Sequence, residues 1–342
     1  MADAIRSIGV VGAGAWGTAL AQIAAARELD TLVWAHEAEV VASINGAHEN
    51  KLFLPGVALA SGVKATGDIA PLTAMDALLL VTPAQHLRAV ARTLAAHAPN
   101  GLPVVVCSKG IEESTGLLMT EVLAEVLPAA RPAVLSGPTL AGEIAEHKPT
   151  AVTIAAADAG LAEGLAAALG SPRFRPYTRT DMIGVQIGGA VKNVMAIACG
   201  MVAGMGFGQN ARAALLTLGL GEMTRLALIK GAELETMMGL AGLGDLVLTC
   251  TSEDSRNYSL GVEIGRGRSA REVLASRRTV AEGAHTAGAV VRLAARLGVE
   301  MPIVAAVDRV VNRDAPLAEV VEELLSRPFR PEGIALSSTS ES

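Results

Sequence analysis

Short runs of consecutive apolar residues punctuate the first half of the chain, at 8–11, 31–34, 77–81, 103–106, 133–135 and 151–155. Continuous runs without alternation mark strands buried on both faces, as in a parallel sheet. Between them, segments such as 18–28, 86–97 and 117–127 repeat apolar residues at helical spacing. Strand and helix in alternation predict a doubly wound α/β domain. From about Asp181 the strand pattern fades, and 182–203, 211–231, 282–297 and 316–325 read as helices. The pattern predicts an N-terminal α/β domain over 1–180 and an all-α C-terminal domain over 181–342, divided after the turn-rich Ser171-Pro172-Arg173.

Composition sharpens this picture. A chain of 342 residues suits two cores, and with 51% hydrophobic but only 2% aromatic residues those cores are built from Ala, Val, Leu, Ile and Met. A net charge of -6 opposes a broad nucleic-acid footprint, so no nucleic-acid partner is expected. Cys107, Cys199 and Cys250 are odd in number and widely spaced, which fits neither a disulfide framework nor a metal-ligand pattern. They read as reduced thiols of a cytoplasmic protein without a metal. Two uncharged stretches imitate export or membrane signals. Residues 7–26 are interrupted by Gly9, Gly12, Gly14 and Gly17 at spacings with another meaning. Residues 193–211, rich in glycine and without aromatic anchors, read as a helix buried on all sides rather than a span.

The glycines Gly12, Gly14 and Gly17 form G-x-G-x-x-G directly after a predicted strand and before a predicted helix, the setting of a Rossmann-like dinucleotide site. Gly12 permits the tight turn, Gly14 lets the backbone approach a pyrophosphate, and Gly17 lets the helix pack closely. The phosphates would sit on the helix N-terminus, where free N–H groups favour an anion. An NAD site usually ends its second strand with an acidic residue, but here the strand runs into Ala35-His36-Glu37. Either Glu37 meets the ribose hydroxyl, or His36 faces it and tolerates a 2′-phosphate. Both NAD(H) and NADP(H) therefore stay open.

Further segments go beyond a generic fingerprint: 50–56 (Asn-Lys-Leu-Phe-Leu-Pro-Gly), Ser108-Lys109-Gly110, Ser136-Gly137-Pro138-Thr139-Leu140-Ala141, Ala190-Val191-Lys192-Asn193-Val194, Gly242-Leu243-Gly244-Asp245-Leu246 and Ser255-Arg256-Asn257. Together and in order, over nearly the whole chain, they resemble the soluble, bacterial-type NAD(P)-dependent glycerol-3-phosphate dehydrogenase family. The resemblance implies hydride transfer between dihydroxyacetone phosphate and sn-glycerol 3-phosphate, supplying glycerol phosphate for phospholipid synthesis. It implies Lys192 as proton donor and acceptor, with Lys109, Gly137, Thr139, Asp245, Ser255, Arg256 and Asn257 lining the substrate. It also implies that Ala15, Trp16, His36, Lys109, Ala141, Arg256, Val280 and Glu282 contact the cofactor. Ala15 and Thr139 depart from the family, which commonly carries Ser there; Ala15 offers only its backbone N–H, whereas Thr139 keeps a hydroxyl.

These residues suit that chemistry. Reducing a ketone builds negative charge on its oxygen as hydride arrives, so a positioned proton donor is needed. A lone ammonium in an uncharged helix is costly without a partner, which singles out Lys192. Burial and a neighbouring cation, Lys109, would lower its pKa, while Asp245 would orient it. For the substrate phosphate, Arg256 offers a fork of N–H groups, Asn193 and Asn257 offer amides, and Ser255 can cap a helix. A related reductase acting on a 3-hydroxyacid or ketopantoate would want a carboxylate site instead. A non-catalytic dinucleotide sensor would have no use for Lys192, Lys109 and Asp245 together. A homodimer is expected as a possible assembly.

Overall fold

The six apolar runs become strands in the computed structural model, which describes residues 4–277 and 281–328. In chain order the strands are β1 (Ser7–Val11), β2 (Asp30–Trp34), β3 (Glu49–Asn50), β4 (Leu54–Ala58), β5 (Val63–Thr66), β6 (Ala77–Leu80), β7 (Pro103–Val106), β8 (Arg131–Ser136), β9 (Thr150–Ala155) and β10 (Phe174–Arg179). Eight of them form one sheet in the order β10-β9-β8-β7-β6-β1-β2-β5, and β3 and β4 make a separate antiparallel hairpin. The connection order reverses between β1 and β6, so the sheet has a switch point at their carboxyl ends, where open α/β sheets bind ligands.

Three features correct the sequence expectation. β9 runs antiparallel to β8, so the sheet is mixed rather than wholly parallel. The connection holds only the helix Ala141–Ala145, about 7.5 Å long, too short to carry the chain back along a strand of roughly 20 Å. The edge strands β5 and β10 went unread because they lack a continuous apolar run: in β5 only Val63 and Ala65 are buried, and β10 exposes its polar residues and carries Pro176, which an edge tolerates. The helix expected over 18–28 is Ala15–Ala26, because the chain turns helical directly after Gly14.

Two compact units result. The first runs through Ser108 and resumes over Met119–Met182; the second consists of Lys109–Leu118 and the chain from Ile183 onward. A continuous division near Thr180 does not anticipate the excursion of Lys109–Leu118. Its cause is apolar: Ile111 and Leu118 are fully buried in the core of the second unit, among Val191, Val194 and Ala287. Arg292 and Arg296 hold the same loop by donating to the carbonyls of Glu113, Thr115 and Gly116.

The second unit is built around the helix Met182–Gly204, buried without interruption from Gly184 to Met201. It is long and apolar enough to cross a membrane, yet 83% of its apolar window lies inside the protein. A helix apolar on all sides needs partners on all sides, and Gly208–Lys230, Arg256–Gly265 and Glu282–Leu297 contribute buried residues to the same core.

Candidate active site

In the first unit the candidate chemistry lies in the backbone. Gly12 follows β1 with φ +115°, and a Cβ there would meet the Val81 carbonyl at 3.1 Å, so only glycine turns the chain at the switch point. A Cβ on Gly17 would fall 1.8 Å from Gly12 O, which closes the turn against the first helical residues. Gly14 is the N-cap of Ala15–Ala26, makes no side-chain cap bond, and has open space where a Cβ would point. Ala15, Trp16 and Gly17 place their N–H groups in the first turn, a donor set that suits an anion. Trp16 Nε1 is buried and has no partner among the described residues. The turn therefore fits a dinucleotide pyrophosphate.

The other first-unit candidates lie at strand ends. His36 is exposed in the bend after β2, 6.3 Å from Trp34 between ring centroids. Glu37 is the N-cap of Ala38–Ala47 and makes no side-chain cap bond, so a carboxylate and an imidazole both stand where the ribose reader is expected. Gly137, at φ +148°, and Thr139 follow β8, with Thr139 Oγ1 donating to Gly137 O at 3.1 Å. Ala141 opens the helix Ala141–Ala145.

In the second unit the chemistry lies in buried charge. Gly188 has no room for a side chain, since a Cβ would meet Ala241 O at 2.4 Å. That close approach seats the turn Leu240–Gly244 on the helix one turn before Lys192, and the turn is a π-type widening, with Gly244 N–H donating to Gly239 O. Asp245, which starts the helix Asp245–Thr251, is thereby brought to Lys192. Its carboxylate is wholly buried. Oδ1 accepts from Lys192 Nζ at 2.5 Å and Oδ2 from Lys109 Nζ at 2.7 Å. Lys192 Nζ also donates to Thr249 Oγ1 at 2.8 Å, and Thr249 in turn donates to Asp245 O at 2.7 Å.

The side chains of Lys109, Lys192 and Asp245 are only 14%, 7% and 0% exposed. Two ammonium groups share one carboxylate where water is scarce. Burial first, and then the Lys109 charge, push the Lys192 ammonium down from its ordinary range, against the pull of Asp245, to about 8. A proton near its balance point, beside a second ammonium, can be handed to a developing oxyanion and recovered.

The remaining candidates divide. Ser255 caps the helix Arg256–Gly265 by accepting from Tyr258 N–H at 3.2 Å. Arg256 is exposed in its first turn, and its guanidinium has no hydrogen-bond or ion-pair partner among the described residues. Asn193 and Asn257 use much of their amides internally: Asn193 donates to Lys109 O and Gly189 O, Asn257 donates to Asn193 Oδ1 at 2.9 Å, and Asn257 Oδ1 accepts from Gly283 N–H at 3.0 Å. Together they pin the Lys109 backbone and the start of Glu282–Leu297, whose first residue, Glu282, is half-buried. Val280 lies outside the described residues. Thr249 was missed, although Asp245 and Thr249 stand four apart on one helix face. Among the described residues no group of His, Cys, Asp and Glu could hold a metal ion.

Comparison with known proteins points one way. Residues 7–162 match the family model described as NAD-dependent glycerol-3-phosphate dehydrogenase N-terminus, and 181–322 match the corresponding C-terminus. The chain is 56% identical over 332 residues to a glycerol-3-phosphate dehydrogenase [NAD(P)+] of Parvibaculum lavamentivorans, covering 97% of this chain and 100% of the relative. A crystal structure of glycerol-3-phosphate dehydrogenase from Coxiella burnetii superposes with a TM-score of 0.90 at 36% identity, covering 94% of this chain and 99% of that one. A ketopantoate reductase structure from Ralstonia eutropha, at 15% identity and a TM-score of 0.58, is similar in fold alone.

Proposed function

The chain belongs to the NAD-dependent glycerol-3-phosphate dehydrogenase family, and from that premise we propose how its own residues carry the reaction. The activity is the interconversion of dihydroxyacetone phosphate and sn-glycerol 3-phosphate with NAD(P)H, an oxidoreductase step that feeds glycerophospholipid synthesis. Neither a carboxylate-directed reductase nor a non-catalytic sensor accounts for full-length identity to these dehydrogenases.

Bound NAD(P)H supplies the hydride for C2. Lys192 gives its Nζ proton to the C2 oxygen during reduction and takes it back during oxidation. Asp245 and Thr249 fix the direction of that ammonium, and Lys109 keeps the cluster positive enough to favour an oxyanion. As the proton leaves Lys192 the cluster loses one positive charge, matching the oxygen's change from developing anion to hydroxyl. Arg256, with its unpartnered fork, is the counter-charge for the substrate phosphate, and Ser255 and Asn257 hold the turn that presents it. Gly137, Thr139 and Asn193 complete the substrate set. On the cofactor side, the turn from Gly12 to Gly17 takes the pyrophosphate, His36 or Glu37 reads the ribose, and Ala141, Val280 and Glu282 belong to the same set. The observation that carries this reading is the buried carboxylate of Asp245 shared by Lys192 and Lys109.

The test is the loss of reduced-nicotinamide absorbance with dihydroxyacetone phosphate, run beside ketopantoate and acetoacetyl-CoA and with both cofactors. Turnover of dihydroxyacetone phosphate alone supports the reading, and preference for either alternative overturns it. Two finer points belong here. Cytoplasmic residence is supported by three buried thiols outside any disulfide, Cys107, Cys199 and Cys250. A homodimer is supported by apolar side chains left exposed on the second unit, among them Leu325, Leu218 and Phe207. Sedimentation at twice the chain mass would support it, and sedimentation at the chain mass would reject it.

A further inference from the structure

Asn50 begins the segment Asn-Lys-Leu-Phe-Leu-Pro-Gly, for which the reaction has assigned no role, and the first unit buries it completely. An uncharged amide with no exposure must place each of its polar atoms on a partner, and here all of them point at two turns. Nδ2 donates to Ala13 O at 2.7 Å and to Thr18 Oγ1 at 2.8 Å. Oδ1 accepts from Phe53 N–H at 3.1 Å, closing the β3–β4 turn. Thr18 Oγ1 itself donates to Ala13 O at 3.3 Å, so the single carbonyl of Ala13 is held by two side chains.

That carbonyl belongs to the peptide joining Ala13 to Gly14. In a trans peptide the C=O and the following N–H point in opposite directions. Holding Ala13 O inward on Asn50 therefore turns the Gly14 N–H outward, where no described residue accepts from it; a Cβ on Gly14 would also meet open space. Glycine at position 14 makes the opposite orientation sterically cheap, and a flipped peptide would aim a carbonyl oxygen at the incoming phosphate. The loop thus needs something other than its own sterics to choose an orientation.

We propose that Asn50 is a positioning residue for the cofactor: it locks the Ala13–Gly14 peptide so that the turn presents an N–H, rather than a C=O, to the dinucleotide pyrophosphate. This rests on the assignment of that turn to the pyrophosphate. The hairpin β3–β4 then acts as a brace for the phosphate turn, which gives the motif from Asn50 to Gly56 its place in the cofactor site.

The substitution Asn50→Asp keeps the shape but puts an acceptor against the Ala13 carbonyl, which repels it and favours the flipped peptide. Two ligands separate the effect from general damage: ADP-ribose, which carries the pyrophosphate, and adenosine, which does not. Binding of each is measured by calorimetry or by displacement, with circular dichroism confirming the fold. The expected result is at least a ~10-fold weaker ADP-ribose affinity, adenosine affinity within about twofold of wild type, and a raised KM for NAD(P)H with kcat at saturation little changed. Equal proportional losses for both ligands, or unchanged ADP-ribose binding in a folded variant, overturn the inference. Should Asn50→Asp not fold, Asn50→Ala applies the same split with a smaller loss. Wild-type protein that binds neither ADP-ribose nor NAD(P)H would instead overturn the assignment of the turn itself.

Discussion

In the proposed reading, the two units of this chain would hold an anion with opposite materials. In the first, the donors are backbone N–H groups at a helix N-terminus, and the sequence contributes by what it omits: side chains at Gly12, Gly14 and Gly17. In the second, the donors are side chains carrying full charges, held at 0–14% exposure around Asp245. A backbone site is set by conformation, so it tolerates any residue that keeps the turn. A charged cluster is set by electrostatic balance, so changing Lys109 or Asp245 changes the protonation of Lys192. The first kind of site binds; the second can also move a proton.

The sharpest way to break this contrast is Lys192→Met. Losing the proton donor should lower kcat by at least ~10²-fold while NAD(P)H binding to the backbone site stays near wild type. Equal turnover in the variant would remove Lys192 from the chemistry. Next in size is Arg256→Ala, which should cost on the order of 2 to 5 kcal/mol in kcat/KM for dihydroxyacetone phosphate and far less for unphosphorylated dihydroxyacetone. Proportional losses for both substrates would leave Arg256 without a phosphate role.

On the backbone side, Gly17→Ala should act in reverse to Lys192→Met. A methyl 1.8 Å from Gly12 O must distort the turn, weakening NAD(P)H binding by about 2 kcal/mol or more, with little change at the lysine cluster. Wild-type cofactor affinity would contradict the geometry. His36→Asp is a smaller perturbation, expected to move the NADH to NADPH ratio of kcat/KM about tenfold toward NADH by repelling a 2′-phosphate. An unchanged ratio would hand the preference to Glu37.

A last effect, on stability rather than activity, concerns a buried charge outside the reaction. Glu222 is 2% exposed and caps the helix Pro302–Asn312, accepting from Ile303 and Val304 N–H; burial nevertheless pushes its carboxyl up to about 7. A carboxyl raised on folding contributes stability that is fully present below its ordinary pKa and is lost as pH rises through about 7. Wild type should therefore lose up to roughly 1 kcal/mol per pH unit relative to Glu222→Gln across that window, read from urea midpoints. Parallel pH curves for the two proteins would refute it.

The same contrast explains what could be read from the sequence. The backbone site was legible because glycines at fixed spacing after an apolar run have one economical explanation, and the structure places Gly12 and Gly17 where a Cβ would collide. Lys192 stood out as an ammonium in an uncharged helix. Lys109 and Asp245 were named as its partners, but Thr249 was not, because a lone hydroxyl carries no charge signal, and nothing local in Lys109–Leu118 announces that Ile111 and Leu118 carry that loop into the second core. The edge strands β5 and β10 were invisible because half-exposed strands lack a continuous apolar run. The antiparallel turn of β9 depends on the length of one short helix. The motif at Asn50 was visible, but its role depends on the direction of one peptide plane.

The proposed proton transfer turns on the protonation of Lys192, and the pH dependence of kcat/KM for dihydroxyacetone phosphate reduction reads it directly. Reduction needs the protonated amine, so kcat/KM should fall as pH rises through about 8 in the wild type. In Lys109→Met, with the neighbouring cation gone and Asp245 left to Lys192 alone, the same limb should move to higher pH even as the overall rate drops. An alkaline limb that is absent, or that stays in place when Lys109 is removed, would contradict the assignment of the proton to Lys192.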